Sequence, residues 1–276
     1  MEKHKTLYIS DLDGTLLNRN AALSQYTKDM LNRMIAEGLH FSVATARTAA
    51  SAFVILDGVQ WNVPLVLLNG VLIYDMAQKR YVRVNEIPPH TVAEIIATLR
   101  QLNVPALMYQ LRQEEQLTYY ETLDHEPLRS FIEERKARYH KTFQKARFAE
   151  VSPEKIIYFT LLDTQDKIRL AHAALSPIPG ICLSMYEDIY TSGLWFLEIH
   201  RDKATKQSGA LYLREDYGFE RLVGFGDNLN DLPLFDACDM RVAVANAKEE
   251  VQAAADCICG TNDDDGVAKW LAKEWQ

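Results

Sequence analysis

Long apolar runs are missing from this chain. The first greasy stretch is only Leu7-Tyr8-Ile9, with Asp11 and Asp13 close behind it, and no run approaches the ~20 apolar residues that a membrane-spanning helix needs. Neither a leader peptide nor a membrane anchor is therefore expected. Cysteine is scarce: Cys182, Cys238, Cys257 and Cys259 show no C-x-x-C spacing and no neighbouring histidine set, which argues against structural zinc and disulfide scaffolding. These traits predict a cytoplasmic protein with reduced thiols. Basic residues are outnumbered, 30 Lys and Arg against 38 Asp and Glu, for a net charge of −8. A nucleic-acid backbone is a poor partner for such a chain. Repeats and low-complexity tracts are absent too.

What is present is a soluble, globular composition, 48% hydrophobic and 25% charged. A length of 276 residues suits two domains, or one domain with a large insertion, at ~150 residues per domain. The N-terminal part alternates buried strands with helices. Strands are predicted at Thr6 to Ser10, Phe41 to Ala44 and Pro64 to Leu68. A helix with Tyr26, Met30, Leu31 and Met34 on one face starts at a Ser24 cap and stops at Gly38. Val71 to Tyr74 and Tyr81 to Val84 read as a hairpin.

The texture changes after residue 85. Thr91-x-x-Glu94 has the form of a capping box at the head of a helix. Antiparallel-looking strands follow at Ala106 to Gln110, Leu117 to Tyr120, Ile156 to Phe159, Ile181 to Ser184, Ile189-Tyr190 and Trp195 to Ile199. Helices are predicted at Pro127 to Lys141 and Asp166 to Leu175. The first style returns with a helix over Lys206 to Tyr217, strands at Leu222 to Phe225 and Arg241 to Val244, and helices at Lys248 to Ala255 and Val267 to Trp275. The expected fold is α/β, a Rossmann-like parallel sheet built from residues 1–84 and 191–276, interrupted by an α+β insertion over 85–190.

Chemistry concentrates where strands end. Asp11-Leu12-Asp13-Gly14-Thr15 follows the first strand directly. Two carboxylates two residues apart can share one magnesium ion, and an aspartate can also attack phosphorus. The plain alternative is a turn with two solvated aspartates. A calcium EF-hand is excluded because the glycine that such a loop requires is replaced by Leu16. A second acidic cluster, Gly226-Asp227-Asn228-Leu229-Asn230-Asp231, also follows a strand, and could supply a further metal carboxylate or simply form an Asx turn. It is no dinucleotide fingerprint, since Leu229 stands at the third glycine position. Thr45 sits at a strand-to-helix junction, where a hydroxyl can hold phosphate or cap a helix, and Asn69 ends the third strand in a similar way. Lys206 could neutralise a crowd of anions, with Lys203 its rival.

Taken together, the motifs Asp11-Leu12-Asp13-Gly14-Thr15, Thr45, Lys206 and Gly226 to Asp231, with Val244-Ala245-Asn246-Ala247 and Asn262 to Val267 behind them, resemble those of the haloacid dehalogenase superfamily, and within it the Cof-type (class IIB) phosphatases. The resemblance covers both ends of the chain; the insertion matches the family's C2-type cap by position and size only. It implies a nucleophile at Asp11 and a general acid and base at Asp13. It implies Mg2+ held by the Asp11 carboxylate, the Asp13 backbone carbonyl and Asp227, with Asp231 in support. Thr45, Lys206 and Asn230, with backbone near Leu12 and Ala46, would bind the phosphoryl group. The implied reaction is hydrolysis of small phosphorylated metabolites, sugar phosphates first, then flavin mononucleotide or pyridoxal phosphate. Two other functions share the scaffold: a phosphotransferase or phosphomutase, and a sugar-phosphate-binding regulatory protein with vestigial activity. Two departures stand out, Ala46 where the family has glycine and Gln207 where a glycine follows the lysine. In the insertion, which the family uses as a lid, Tyr119, Tyr120, His125 and Tyr186 either read the substrate or pack the lid.

Overall fold

Short apolar runs become buried strands and longer amphipathic ones become helices in the computed structural model, which describes residues 5–188 and 191–275. In chain order the elements are β1 (Thr6–Ser10), α1 (Gln25–Ala36), β2 (His40–Val43), α2 (Ala49–Ile55), β3 (Leu65–Leu67), β4 (Leu72–Asp75), β5 (Arg80–Val84), α3 (Pro89–Leu102), β6 (Ala106–Arg112), β7 (Glu115–Tyr120), α4 (Glu126–Tyr139) and β8 (Phe143–Lys145). They continue with β9 (Ile156–Asp163), α5 (Gln165–Leu175), β10 (Ile181–Glu187), β11 (Trp195–Arg201), α6 (Lys206–Asp216), β12 (Arg221–Gly226), α7 (Leu232–Ala237), β13 (Met240–Ala243), α8 (Glu249–Ala254), β14 (Cys257–Ile258) and α9 (Gly266–Glu274). The strand expected at Ile189-Tyr190 lies outside the described residues. Among the described residues, no helix is long and apolar enough to cross a membrane, and all four cysteines are free.

The chain divides into two compact units. Residues up to Arg83 join those from Ala204 onward, and Val84–Lys203 forms the other. The first unit is built on a parallel sheet of order β14-β13-β12-β1-β2. Its central strand β1 is buried along its whole length, as a strand covered on both faces must be. The chain runs from β1 to β2 on one side and returns through β12 on the other. Strand order therefore reverses at β1, and a crevice opens at the carboxyl ends. Val66 of β3 bridges to Ala44 just past β2, while β3, β4 and β5 form a small sheet of their own. Leu7, Ile9, Val66, Leu213 and Leu222 share the core of this unit. Helix α6 comes very close to β3: a Cβ at Gly209 would lie 2.4 Å from Val66 Cγ1, so only glycine permits the approach.

The second unit carries a six-stranded sheet of order β10-β11-β9-β6-β7-β8. Its neighbours are antiparallel except for the parallel pair β7 and β8. Helices α3 and α5 cover one face through Val92, Ile95, Leu99 and Ile168, packed on Phe159, Leu161 and Leu197. The sequence-based boundary at 190/191 is corrected here: β11 is hydrogen-bonded between β9 and β10, so the unit ends at Lys203. The capping box expected at Thr91 is not formed. Helix α3 starts earlier, at Pro89, and Thr91 is buried in its first turn. A proline at the first helical position has a preset φ and no N–H to leave unsatisfied.

Candidate active site

The two acidic motifs and Thr45 follow the carboxyl ends of β1, β12 and β2, while Lys206 opens α6. Ser10 of β1 pairs with Val43 of β2 and with Phe225 of β12. The register therefore brings Asp11, Thr45 and Asp227 to one end of three adjacent strands, spaced about 4.8 Å apart. Gly14 makes the first turn possible. Its φ is +82°, and a Cβ there would lie 2.5 Å from Asp227 Oδ2, so hydrogen alone fits between the two acidic loops.

Three carboxylates and one ammonium meet below this turn. Asp11, Asp227 and Asp231 each offer an oxygen within 4.8 Å of the others. Lys206, the first residue of α6, donates from Nζ to Asp11 Oδ1 at 2.5 Å and to Asp231 Oδ1 at 2.6 Å. The lysine is 2% exposed and Asp231 fully buried. Burial works to lower the Lys206 pKa, but the Asp11 and Asp231 charges and hydrogen bonds outweigh it, and the ammonium is held charged. Burial also pushes the Asp11 carboxyl well above its usual range, with Asp231 and Asp227 adding repulsion against the pull of Lys206. Asp227 is pushed up to about 6, by burial first, while its bond from Thr15 opposes the rise and Asp231 adds to it.

The donor set fits a divalent cation. Three carboxylates against one ammonium leave two formal negative charges in a buried space, and hard oxygen ligands suit magnesium. Asp231 already accepts three hydrogen bonds: Oδ1 takes Lys206, and Oδ2 accepts from the backbone N–H groups of Asp227 and Asn228 at 3.0 and 3.1 Å. Asp227 Oδ1 accepts from Thr15 Oγ1 at 2.8 Å. Oδ2 of Asp11 and Oδ2 of Asp227 carry no hydrogen bond among the described residues.

The remaining expected residues fall as follows. Leu12 is buried beneath the loop, and Thr45 is buried with its Oγ1 accepting from Arg47 N at 3.1 Å. Ala46 is half-buried beside it, and Asn230 is exposed on the 3-10 turn after Asn228. Asp13 lies outside the carboxylate triad, its side chain gripped by Arg47. Lys203 is exposed, whereas Lys206 is the lysine in the cluster. Asn69 has a left-handed φ of 53°, and its Oδ1 is buried without a hydrogen-bond partner. In the second unit, Tyr119 is buried with its hydroxyl on Gln110, His125 faces Asp163 at 3.1 Å, and Tyr186 donates to Glu198 at 2.9 Å.

Three contributors carried no role in the sequence. Thr15 orients Asp227, Arg47 holds Asp13, and Asn246 Nδ2 donates to Gly14 O at 2.8 Å while its Oδ1 accepts from Asn262 N at 2.9 Å. Thr15 and Asn246 stood inside motifs already singled out and Arg47 two residues past Thr45, but only contact across the chain shows what each touches.

The profile of the haloacid dehalogenase-like hydrolases matches residues 8–271. The chain is 24% identical over 269 residues to a pyridoxal phosphate phosphatase of Escherichia coli, covering 95% of each sequence. It is 23% identical over 289 residues to a 5-amino-6-(5-phospho-D-ribitylamino)uracil phosphatase of Bacillus subtilis, covering 98% of each. The fold matches an X-ray crystal structure of a Thermotoga maritima protein with a TM-score of 0.81 and 25% identity, over 97% of this chain and 96% of that one.

Proposed function

The chain belongs to the haloacid dehalogenase-like hydrolases and is a phosphatase of that family, and from that premise we propose a magnesium-dependent hydrolase of small phosphorylated metabolites, sugar phosphates first among them, acting through a phosphoryl-aspartate at Asp11. The observation that carries this reading is the Asp11–Lys206–Asp231 cluster beside Asp227. Asp11 is tethered through one oxygen, which leaves the other for attack, and the site holds more negative charge than a dianionic substrate tolerates. Magnesium, when bound, supplies charge neutralisation; the carboxylates of Asp11 and Asp227 and the backbone carbonyl of Asp13 would hold it.

In the first step an Asp11 oxygen forms a bond to phosphorus as the bond to the leaving oxygen breaks. Asp13 gives that oxygen its proton. In the second, water attacks the same phosphorus and passes a proton to Asp13, and the Asp11–phosphorus bond breaks to release phosphate. Lys206, Thr45 and Asn230, with backbone near Leu12 and Ala46, hold the phosphoryl oxygens throughout, since phosphoryl transfer depends mainly on position and charge. The relatives named for pyridoxal phosphate and for a phosphoribityl compound support a small phosphate monoester as substrate, with sugar phosphates the first to try and cytoplasmic metabolites the natural pool.

A phosphate-release screen over sugar phosphates, pyridoxal phosphate and flavin mononucleotide in magnesium tests the proposal. Asp11→Asn should lose at least about 10³-fold in kcat, and excess chelator should silence the wild type. Wild-type turnover by Asp11→Asn, or full activity in chelator, overturns it.

A further inference from the structure

Asp13 is held by one side chain. Arg47 donates from Nε to Asp13 Oδ2 at 2.7 Å and from Nη2 to Oδ1 at 2.5 Å. With both oxygens taken by one planar fork, the position and the plane of the carboxylate are set together, which a lysine's point charge could not do. The two partners are unequal. The Asp13 side chain is 50% exposed and that of Arg47 only 16%. Arg47 is anchored in turn: its N–H donates to Thr45 Oγ1 at 3.1 Å, and its carbonyl accepts from Leu68 N, also at 3.1 Å. The fork therefore springs from a fixed turn between β2 and α2, and Asp13 is the group it presents.

We infer that Arg47 is the positioning residue for Asp13, fixing the carboxylate where it exchanges protons with the leaving oxygen and the attacking water. The inference rests on the reading of Asp13 as proton donor and acceptor. A short, half-exposed side chain without a partner samples several rotamers, and misplacement by about 1 Å can cost on the order of 100-fold in rate. Arg47 acts only through Asp13 in this account, so its effect must follow the need for that proton. An alkoxide leaving group must be protonated as its bond to phosphorus breaks. A nitrophenolate departs as a stable anion and needs no proton.

The experiment measures kcat/KM for wild type, Arg47→Ala, Arg47→Lys, Asp13→Ala and the Asp13→Ala/Arg47→Ala double variant, with magnesium. The two substrates are p-nitrophenyl phosphate and the alkyl phosphate turned over fastest in the screen above. Arg47→Ala should lose on the order of 100-fold on the alkyl ester and less than about tenfold on the aryl ester. Arg47→Lys should fall between, and Arg47→Ala should add nothing in the Asp13→Ala background. Equal losses on both esters, or additive losses in the double variant, would assign Arg47 to substrate binding and overturn the inference. Asp13→Ala decides the underlying reading by itself, because an equal loss on both esters there removes Asp13 as the proton donor whatever Arg47 does. Melting curves identify any variant that has lost its fold, and Arg47→Lys carries the test if the alanine variant has.

Discussion

Lys206 puts a cation at the start of a helix, the end where the backbone dipole disfavours one. Its burial adds a desolvation cost. Both are offset only because Asp11 and Asp231 lie 2.5 and 2.6 Å away, and neither carboxylate could stay buried alone. Gly14 is the counterpart on the acidic side: with a φ of +82° and Asp227 Oδ2 at 2.5 Å from any added Cβ, it has no tolerance for a side chain. Gly14→Ala should displace Asp227 and weaken magnesium binding by about 10- to 100-fold. The magnesium dependence of activity, or calorimetric titration with the metal alone, measures the change. Unaltered affinity would mean that Asp227 does not ligate the ion. At this scale the sequence was informative about residue type and weak about partners. The acidic motifs were legible because paired carboxylates are unusual at strand ends, and Lys206 was singled out there with Lys203 still its rival. The Thr15, Arg47 and Asn246 contacts were not, because a hydroxyl, a guanidinium or an amide reveals nothing of what lies 16 to 232 positions away.

Helix α6 shows how an element serves one side chain. Thr205 Oγ1 accepts from Ser208 N and Ser208 Oγ accepts from Thr205 N, both at 3.0 Å, closing a capping box immediately before Lys206. Gly209 then lets the helix settle on Val66. Thr205→Ala should lower unfolding stability by about 1 kcal/mol in a urea titration; a change within error would mean that packing on β3 alone fixes the first turn. Elements with a strong period or a fully apolar run, such as α1 and β1, were legible from residues alone. Three short ones were not. Phe143-Gln144-Lys145 has two polar residues of three and becomes β8 only by pairing with Thr118 to Tyr120. Cys257-Ile258 becomes β14 by lying beside β13. Leu232–Ala237 is too short for a helical period to declare itself.

At the scale of the molecule, the catalytic unit gathers negative charge that its own cations do not balance. The ordinary aspartate value is near 4, and burial pushes the Asp227 carboxyl up to about 6. Between those values the folded chain binds more protons than the unfolded one, so this group's contribution makes stability fall as pH rises through the window. Magnesium held by Asp227, as proposed above, would compete with those protons. The rise in melting temperature on adding millimolar magnesium should therefore be larger at pH 8 than at pH 5. An equal rise at both would place the ion elsewhere.

Residue order alone determined the α/β class, the interrupted first unit and the short acidic motifs, because local period and strand-end chemistry are properties of neighbours in the chain. Tertiary structure decided the rest. It set β11 in the second sheet, chose Lys206 over Lys203, gave Asp231 its three hydrogen-bond donors and placed Arg47 on Asp13. Those outcomes depend on register and on hydrogen bonds between distant segments, which exist only once the strands have lined up.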